Sequence, residues 1–317
     1  MYITMDEGER GELDTRLRGI RAQVHSHPEL SNREFETTKL VQRHLAALGL
    51  EPVELGLPTG AAALLRGGRP GPTVGLRADL DALPVTEQTG APYGSENEGV
   101  MHACGHDVHT SVLLGAAELL TKRREEIAGN ILFLFQPAEE AMVGARHVVE
   151  QGLFQRVKLS ALLGMHVWPQ LPRGEVGLRA GAFFAAVDNF RIVITGRGGH
   201  GSTPNLSRSP IGAGAALALA IPAIKAYDLP PTEPATVAVT LLQAGYCNNV
   251  IPDTCELQGT IRTFSEEARH IVAQRLQELT RSTAAAWGCT GEAEISKGTP
   301  PLVNDEGLEQ VMAGAAR

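Results

Sequence analysis

The segment NILFLF at 130–135 runs apolar for five consecutive positions, with none of the polar alternation of a strand that has one wet face. A strand with this pattern must be covered on both faces, which points to a sheet buried between other layers and so to an α/β architecture. Two shorter apolar runs, TVGLRA at 73–78 and ALLGM at 161–165, accompany it. Between the first two runs, VHTSVLLGAAELLTKR places Val112, Leu113, Ala116, Leu119 and Leu120 at helical spacing. Asp107 stands where it is expected to cap that helix. From Leu13 to Leu48 the pattern is again helical, interrupted near His27–Pro28, with Gly49 as its stop signal.

The texture changes near Val187. NFRIVITG and ATVAVTLLQAG read as half-buried strands, with the Ala-rich helix IGAGAALALAIPAI between them. CELQGTIRTF is a third alternating strand, SEEARHIVAQRLQELT a second helix and GEAEIS a last strand. The order strand, helix, strand, strand, helix, strand is that of a small ferredoxin-like α+β unit. It predicts an inserted second domain at 187–300, with the chain returning to the first domain at Pro301.

Composition excludes several function classes. The formal net charge is −8 without a long block of Lys or Arg, so nucleic acid and anionic membrane are not expected partners. The N-terminus alternates charges and lacks the apolar core of a signal peptide. No apolar stretch of about 20 residues suggests a membrane span, and a cytoplasmic location is the default expectation. Cys104, Cys247, Cys255 and Cys289 are too sparse for a disulfide framework, so reduced thiols are expected.

Each apolar run of the first domain is followed at once by residues able to bind or orient a metal. TVGLRA leads into Asp79 and Asp81, NILFLF into Gln136, Glu139 and Glu140, and ALLGM into His166. In open α/β sheets, loops beyond the carboxyl ends of several strands converge on one crevice. MHACGHDVH at 101–109 adds Cys104 and His106 around Gly105. Taken singly, Cys104 reads as a small buried hydrophobe, His166 as a core histidine and the glutamate pair as a solvated helix start. Jointly, a thiolate, two imidazoles and Glu140 suit a borderline-soft divalent ion such as zinc, with manganese, cobalt and nickel open.

The chain also resembles a known family. HPELSNREFETT at 27–38, LRADLDALPV at 76–85, MHACGHDVHTSVLLGAA at 101–117, QPAEEAMVGA at 136–145 and GMHV at 164–167 are similar to segments of the dinuclear-metal amidohydrolases, the family of aminoacylases, hippurate hydrolases and auxin-conjugate hydrolases. The series continues, in order, through GGHGSTP at 198–204, NVIPD at 249–253 and GTIRTF at 259–264.

The resemblance implies a zinc-peptidase-like mixed sheet covered by helices at 1–186, resuming at 301–317, and a lid and dimerisation domain at 187–300. It implies Cys104, His106, Glu140 and His166 as ligands of two divalent ions, Glu139 as general base and Asp81 in support. It further implies that His200 stabilises an oxyanion across a homodimer, while Asn249 and Arg262 bind the carboxylate of an N-acyl amino acid. On CELQGTIRTF, strand alternation turns Arg262 away from the core that Leu257, Gly259, Ile261 and Thr263 face. Chains of the family run some tens of residues further and supply one more histidine ligand. A metal-containing binding protein without turnover is therefore the competing expectation beside a hydrolase.

Overall fold

The computed structural model describes residues 5–316, so the expected domain limits at 1 and 317 lie outside the described residues. The chain divides into two compact units, one ending at Glu175 and the other beginning at Val176.

The first unit contains α1 (Glu7–Ser26), α2 (Phe35–Ala47), β1 (Glu51–Pro52), β2 (Ala61–Arg66), β3 (Arg69–Asp79), α3 (His106–Lys122), β4 (Ala128–Gln136), α4 (Gly144–Glu150), α5 (Leu153–Arg156) and β5 (Ala161–Gly164). Its sheet has the order β1-β2-β4-β3-β5. The pairings β1–β2 and β2–β4 are antiparallel, whereas β4–β3 and β3–β5 are parallel. The parallel strands therefore end on one side, and the loops after Asp79, Gln136 and Gly164 leave from the same edge.

Strand β4 is covered on both faces, as its apolar run requires. Phe133 and Phe135 join Val24, Leu40, Val41, Leu113 and Leu114 from α1, α2 and α3 on one face. Leu132 and Leu134 join Val148 and Leu153 from α4 and α5 on the other. Strand β2, which no apolar run singled out, shares this environment: Ala61, Ala63 and Leu65 face the first core, Ala62 and Leu64 the second. The helical pattern of 13–48 splits into α1 and α2, and Gly49 follows α2 at φ +67° in the left-handed region that ends helices.

One local expectation fails. The N-cap of α3 is Gly105, at φ +89°, and not Asp107. Asp107 sits inside the first turn, where its carboxylate accepts from Arg21 Nε at 2.9 Å and pairs with His25 Nδ1 at 2.8 Å. A buried charge with two cationic or polar partners is held more firmly there than at a solvated cap.

The second unit contains β6 (Gly181–Phe184), β7 (Ala186–Thr195), β8 (Gly199–His200), α6 (Pro210–Ala220), α7 (Ala223–Tyr227), β9 (Ala235–Ala244), β10 (Val250–Ile251), β11 (Thr254–Thr263), α8 (Glu266–Ala286), β12 (Thr290–Lys297), β13 (Leu302–Asn304) and α9 (Glu306–Ala315). Four strands form an antiparallel sheet in the order β12-β7-β11-β9. With α6 and α8 between them in sequence, this is the expected strand, helix, strand, strand, helix, strand arrangement. Leu217, Ile221, Val272 and Leu276 of the helical segments pack on Ile192, Ile194 and Leu257. Strand β6 pairs with β13. Among the described residues, no helix is long and apolar enough to cross a membrane.

Arg269 of α8 locks helix to sheet. Its Nε and Nη2 donate to the two oxygens of Asp188 at 2.7 and 2.6 Å, and Gly298 N adds a bond of 2.9 Å to the same carboxylate. Both side chains are buried. Arg269→Ala strands the carboxylate without its cation, so a loss of about 3–5 kcal/mol is expected, read as a lowered urea midpoint at unchanged m-value.

Candidate metal centre

The edge where β3, β4 and β5 end gathers the site. Asp79 closes β3 and Asp81 follows two residues later. Gln136 closes β4 and leads to Glu139 and Glu140, and His166 follows β5 by two residues. Gly105 turns the loop before α3 at φ +89°, and a Cβ there would lie 2.4 Å from Val167 Cγ2, so only glycine fits between Cys104 and His106.

Among the described residues, three overlapping groups place their donor atoms within 4.8 Å of one another: Cys104, His106 and His166; Asp79, His106 and His109; and His106, Glu139 and Glu140. His106 is common to all three. Cys104 Sγ lies 3.3 Å from His166 Nε2. His106 Nε2 lies 3.8 Å from Glu140 Oε1, 3.9 Å from Glu139 Oε2 and 3.6 Å from Asp79 Oδ2. The structure therefore brings Asp81, Cys104, His106, Glu139, Glu140 and His166 into one neighbourhood.

Both histidine tautomers are set by backbone carbonyls. His106 Nδ1 donates to the Asp81 carbonyl at 2.8 Å, and His166 Nδ1 donates to the Val167 carbonyl at 2.6 Å. Each ring then directs Nε2 toward the centre, the nitrogen through which an imidazole held at Nδ1 binds a metal once any proton there is displaced. His106 Nε2 and Glu140 Oε1 are buried without a hydrogen-bond partner among the described residues. Unpartnered buried polar atoms are costly, and a shared cation satisfies both.

The electrostatics agree. Burial lowers the affinity of His106 for a proton, but the hydrogen bonds to Asp81 and Cys104 and the charge of Asp79 outweigh it and push the ring up to about 11. The surrounding carboxylates and thiol thus draw positive charge to this position. Burial works against ionised Asp79, yet the His109 hydrogen bond and the Arg77 and His106 charges hold its carboxyl below the ordinary value. Asp81 is likewise lowered against burial by His106, Ser31 and the amides of Glu140 and Glu139. Glu139 moves the other way: burial raises it, and the carboxylates of Asp79 and Glu140 add to this against the pull of His106.

Supporting contacts that the sequence did not mark lie one layer back. His109 Nδ1 donates to Asp79 Oδ1 at 2.6 Å while its Nε2 accepts the Val167 amide at 2.9 Å, beside His166. Ser31 Oγ donates to Asp81 Oδ2 at 2.6 Å. The residue types of MHACGHDVH hinted at His109, but nothing local marks Ser31, which meets Asp81 across fifty residues.

The remaining expected residues belong to the second unit. Strand β8 pairs with β10, His200 opposite Val250, and Gly201 N donates to the Asn249 carbonyl at 2.8 Å. His200 and Asn249 are thus neighbours. His200 is exposed, and its Nδ1 lies 2.7 Å from Ser202 Oγ and 3.2 Å from Ser202 N, which leaves Nε2 without a protein partner among the described residues. Arg262 lies on the face of β11 away from the buried Leu257, Ile261 and Thr263, as alternation requires. Its Nη1 donates to the Ile261 carbonyl at 2.9 Å and to Thr260 Oγ1.

Residues 75–317 match Peptidase family M20/M25/M40. An N-acetylcysteine deacetylase of Bacillus subtilis (strain 168) is 43% identical over 292 residues, covering 92% of this chain and 76% of that protein. An N-acyl-L-amino acid amidohydrolase of Geobacillus stearothermophilus is 39% identical over 300 residues, covering 93% of this chain and 80% of that protein. The crystal structure of a dinuclear metal binding peptidase of the M20 family from Bacillus subtilis superposes with a TM-score of 0.87 at 39% identity, covering 96% of this chain and 80% of that one.

Because His109 ties the segment carrying His166 to Asp79, His109→Ala should weaken binding of Zn²⁺ or Mn²⁺ by about 10- to 100-fold. Competition against a fluorescent chelator measures this, and unchanged affinity would remove His109 from the support of the centre.

Proposed function

The chain belongs to Peptidase family M20/M25/M40, and from that premise we propose that it is a metal-dependent amidohydrolase that cleaves N-acyl amino acids to a carboxylic acid and a free amino acid. The observation that carries the reading is the convergence of Cys104, His106, Glu140 and His166 beside a second glutamate of raised proton affinity. Acetyl, benzoyl and related acyl groups are the substrates to which we extend it.

The ligand set fits two divalent ions of the zinc, manganese, cobalt or nickel type. Cys104, His106, Glu140 and His166 would hold them. Such ions, when bound, supply Lewis acidity toward a carbonyl oxygen and acidify water. Glu139 is left for proton transfer. Its side chain is 40% exposed, within reach of a substrate, whereas that of Glu140 is half as exposed. Burial keeps its proton affinity above that of an ordinary carboxylate, which suits a group that takes a proton from water and passes it to the leaving amine. Asp81 orients the pair through their amides.

In the second unit, Arg262 Nε and Nη2 take no protein partner among the described residues, so a two-point grip on the free carboxylate of an amino acid is open to it. Asn249 would add an amide contact. His200, held at Nδ1 by Ser202, would donate to an oxyanion through Nε2. We assign it that role from a second copy of the chain, in a homodimer formed through residues 187–300. The pairing of β6 with β13 holds the two ends of that segment close, which supports reading it as an insertion in a domain of residues 1–186 that resumes at 301. The described cysteines are all free, and a reducing cytoplasm suits a thiolate ligand.

Glu139→Gln, loaded with metal, should lose about 10²- to 10⁴-fold in kcat on a panel of acetyl, benzoyl and indoleacetyl amino acids. Retention of most of the rate would refute Glu139 as the base. For the dimer, light scattering should return twice the chain mass, and a fully active monomer would sink the role given to His200.

A further inference from the structure

The turn that presents Glu139 is held by three successive amides, each aimed at a carboxylate. Glu139 N and Glu140 N donate to Asp81 Oδ1 and Oδ2 at 3.0 and 2.9 Å. The amide before them, Ala138 N, donates to Glu34 Oε1 at 2.8 Å. Ala138 is fully buried and sits at φ +52°, a left-handed conformation that an alanine adopts only when its surroundings impose it.

Glu34 is completely buried and lies 104 residues away in sequence. Its Oε1 also accepts Asn32 N at 3.0 Å, and Asn32 is a second left-handed position, at φ +63°. Its Oε2 is buried without a hydrogen-bond partner among the described residues. A carboxylate in the interior is costly, and this one makes its bonds only through one oxygen, to two strained backbone sites. On the far side of the turn, a Cβ on Gly144 would lie 1.6 Å from the Pro137 carbonyl oxygen, so backbone packs directly on backbone there. The turn is clamped between Gly144 and Glu34.

We propose that Glu34 is a positioning residue: by accepting the Ala138 amide it fixes the left-handed turn from which Glu139 and Glu140 are presented to the centre. The inference rests on the reading of Glu139 as the base. It assigns Glu34 no contact with substrate and no proton transfer.

The test compares two isosteric changes in the metal-loaded, full-length protein. Glu34→Gln keeps an acceptor at Oε1 and puts its amide nitrogen where Oε2 has no partner. Glu34→Met fills the same volume and accepts nothing. Glu34→Met should lower kcat by about 10- to 100-fold, the usual range for lost support of a site. KM should stay within about threefold, because the loss falls on an interaction of the reaction and not on substrate binding. Glu34→Gln should retain kcat within about threefold of the parent. Normal turnover in Glu34→Met overturns the proposal, and so does equal damage in both variants, which would make the charge and not the accepted bond the cause.

Hydrogen exchange supplies a readout independent of turnover. The Ala138 amide should exchange slowly in the native protein, and residues 138–140 should exchange faster in Glu34→Met. Fast exchange at Ala138 in the native protein overturns the proposal even if Glu34→Met fails to fold. Faster exchange in Glu34→Met beside an unimpaired Glu139→Gln enzyme would retire the base assignment alone, leaving the clamp in place.

Discussion

The centre of the first unit is organised by the Asp81 carboxylate. One oxygen takes the Glu139 amide; the other takes the Glu140 amide and the Ser31 hydroxyl, and the backbone carbonyl of the same residue takes His106 Nδ1. A single residue therefore fixes the positions of a proposed ligand, a proposed base and the tautomer of the histidine common to every donor group. Charge-assisted bonds to backbone amides are short and strong, and here they join the loop after β3 to the turn after β4, while the Asp81 carbonyl reaches the start of α3. Removing ionised Asp81 would release the Glu139–Glu140 turn and the Ser31 loop at once, so it is the geometry, more than any ligand taken alone, that depends on it.

Much of this was legible in the sequence. The unbroken apolar run of β4 required a strand buried on both faces, and Phe133 and Leu132 do enter different cores. From parallel strands, a common edge for Asp79, Glu140 and His166 follows without further assumption. What could not be read are the contacts that depend on distant backbone. Glu34 looks like an ordinary helix-start acid, because nothing near it in sequence shows that its oxygen meets Ala138. Asp107 departs from its expected capping role for a related reason: local chemistry favours an acid as N-cap, but Arg21 and His25 arrive from α1 and claim its carboxylate, while the left-handed Gly105 ends the preceding loop. Strand β2 carries no signal in its sequence, because AAALLR, buried on both sides, has neither alternation nor β-branched residues to separate it from a helical segment.

The second unit is legible to a different depth. Alternation on β11 is strict enough to assign Arg262 to the outer face, and the burial of Leu257, Ile261 and Thr263 follows it. The strand order β12-β7-β11-β9 puts the first and third strands of the motif at the centre, where Ile192, Ile194 and Leu257 form the core. The Arg269–Asp188 pair, by contrast, has no local signature, since its partners lie 81 residues apart. A buried ion pair of this kind owes its worth to geometry: both guanidinium bonds and the Gly298 amide must be made together, or the desolvation of two charges goes uncompensated.

The adjacent glutamates show how one turn can give two carboxylates different roles. They share a backbone anchor in Asp81, and they point toward the same buried imidazole at nearly equal distances. What separates them is surroundings. Glu140 Oε1 is buried with no hydrogen-bond donor among the described residues, a position in which a cation satisfies a carboxylate oxygen. Glu139 keeps part of its side chain open to solvent, and partial burial, with the negative charge of Asp79 and Glu140 added, raises its proton affinity. A cation held on one side of the pair thus leaves the other carboxylate free to exchange protons with whatever enters from solvent. The division needs no difference in residue type, only a turn rigid enough to keep one oxygen in and the other out. That rigidity is the reason a left-handed alanine and two distant acids are spent on four residues of chain.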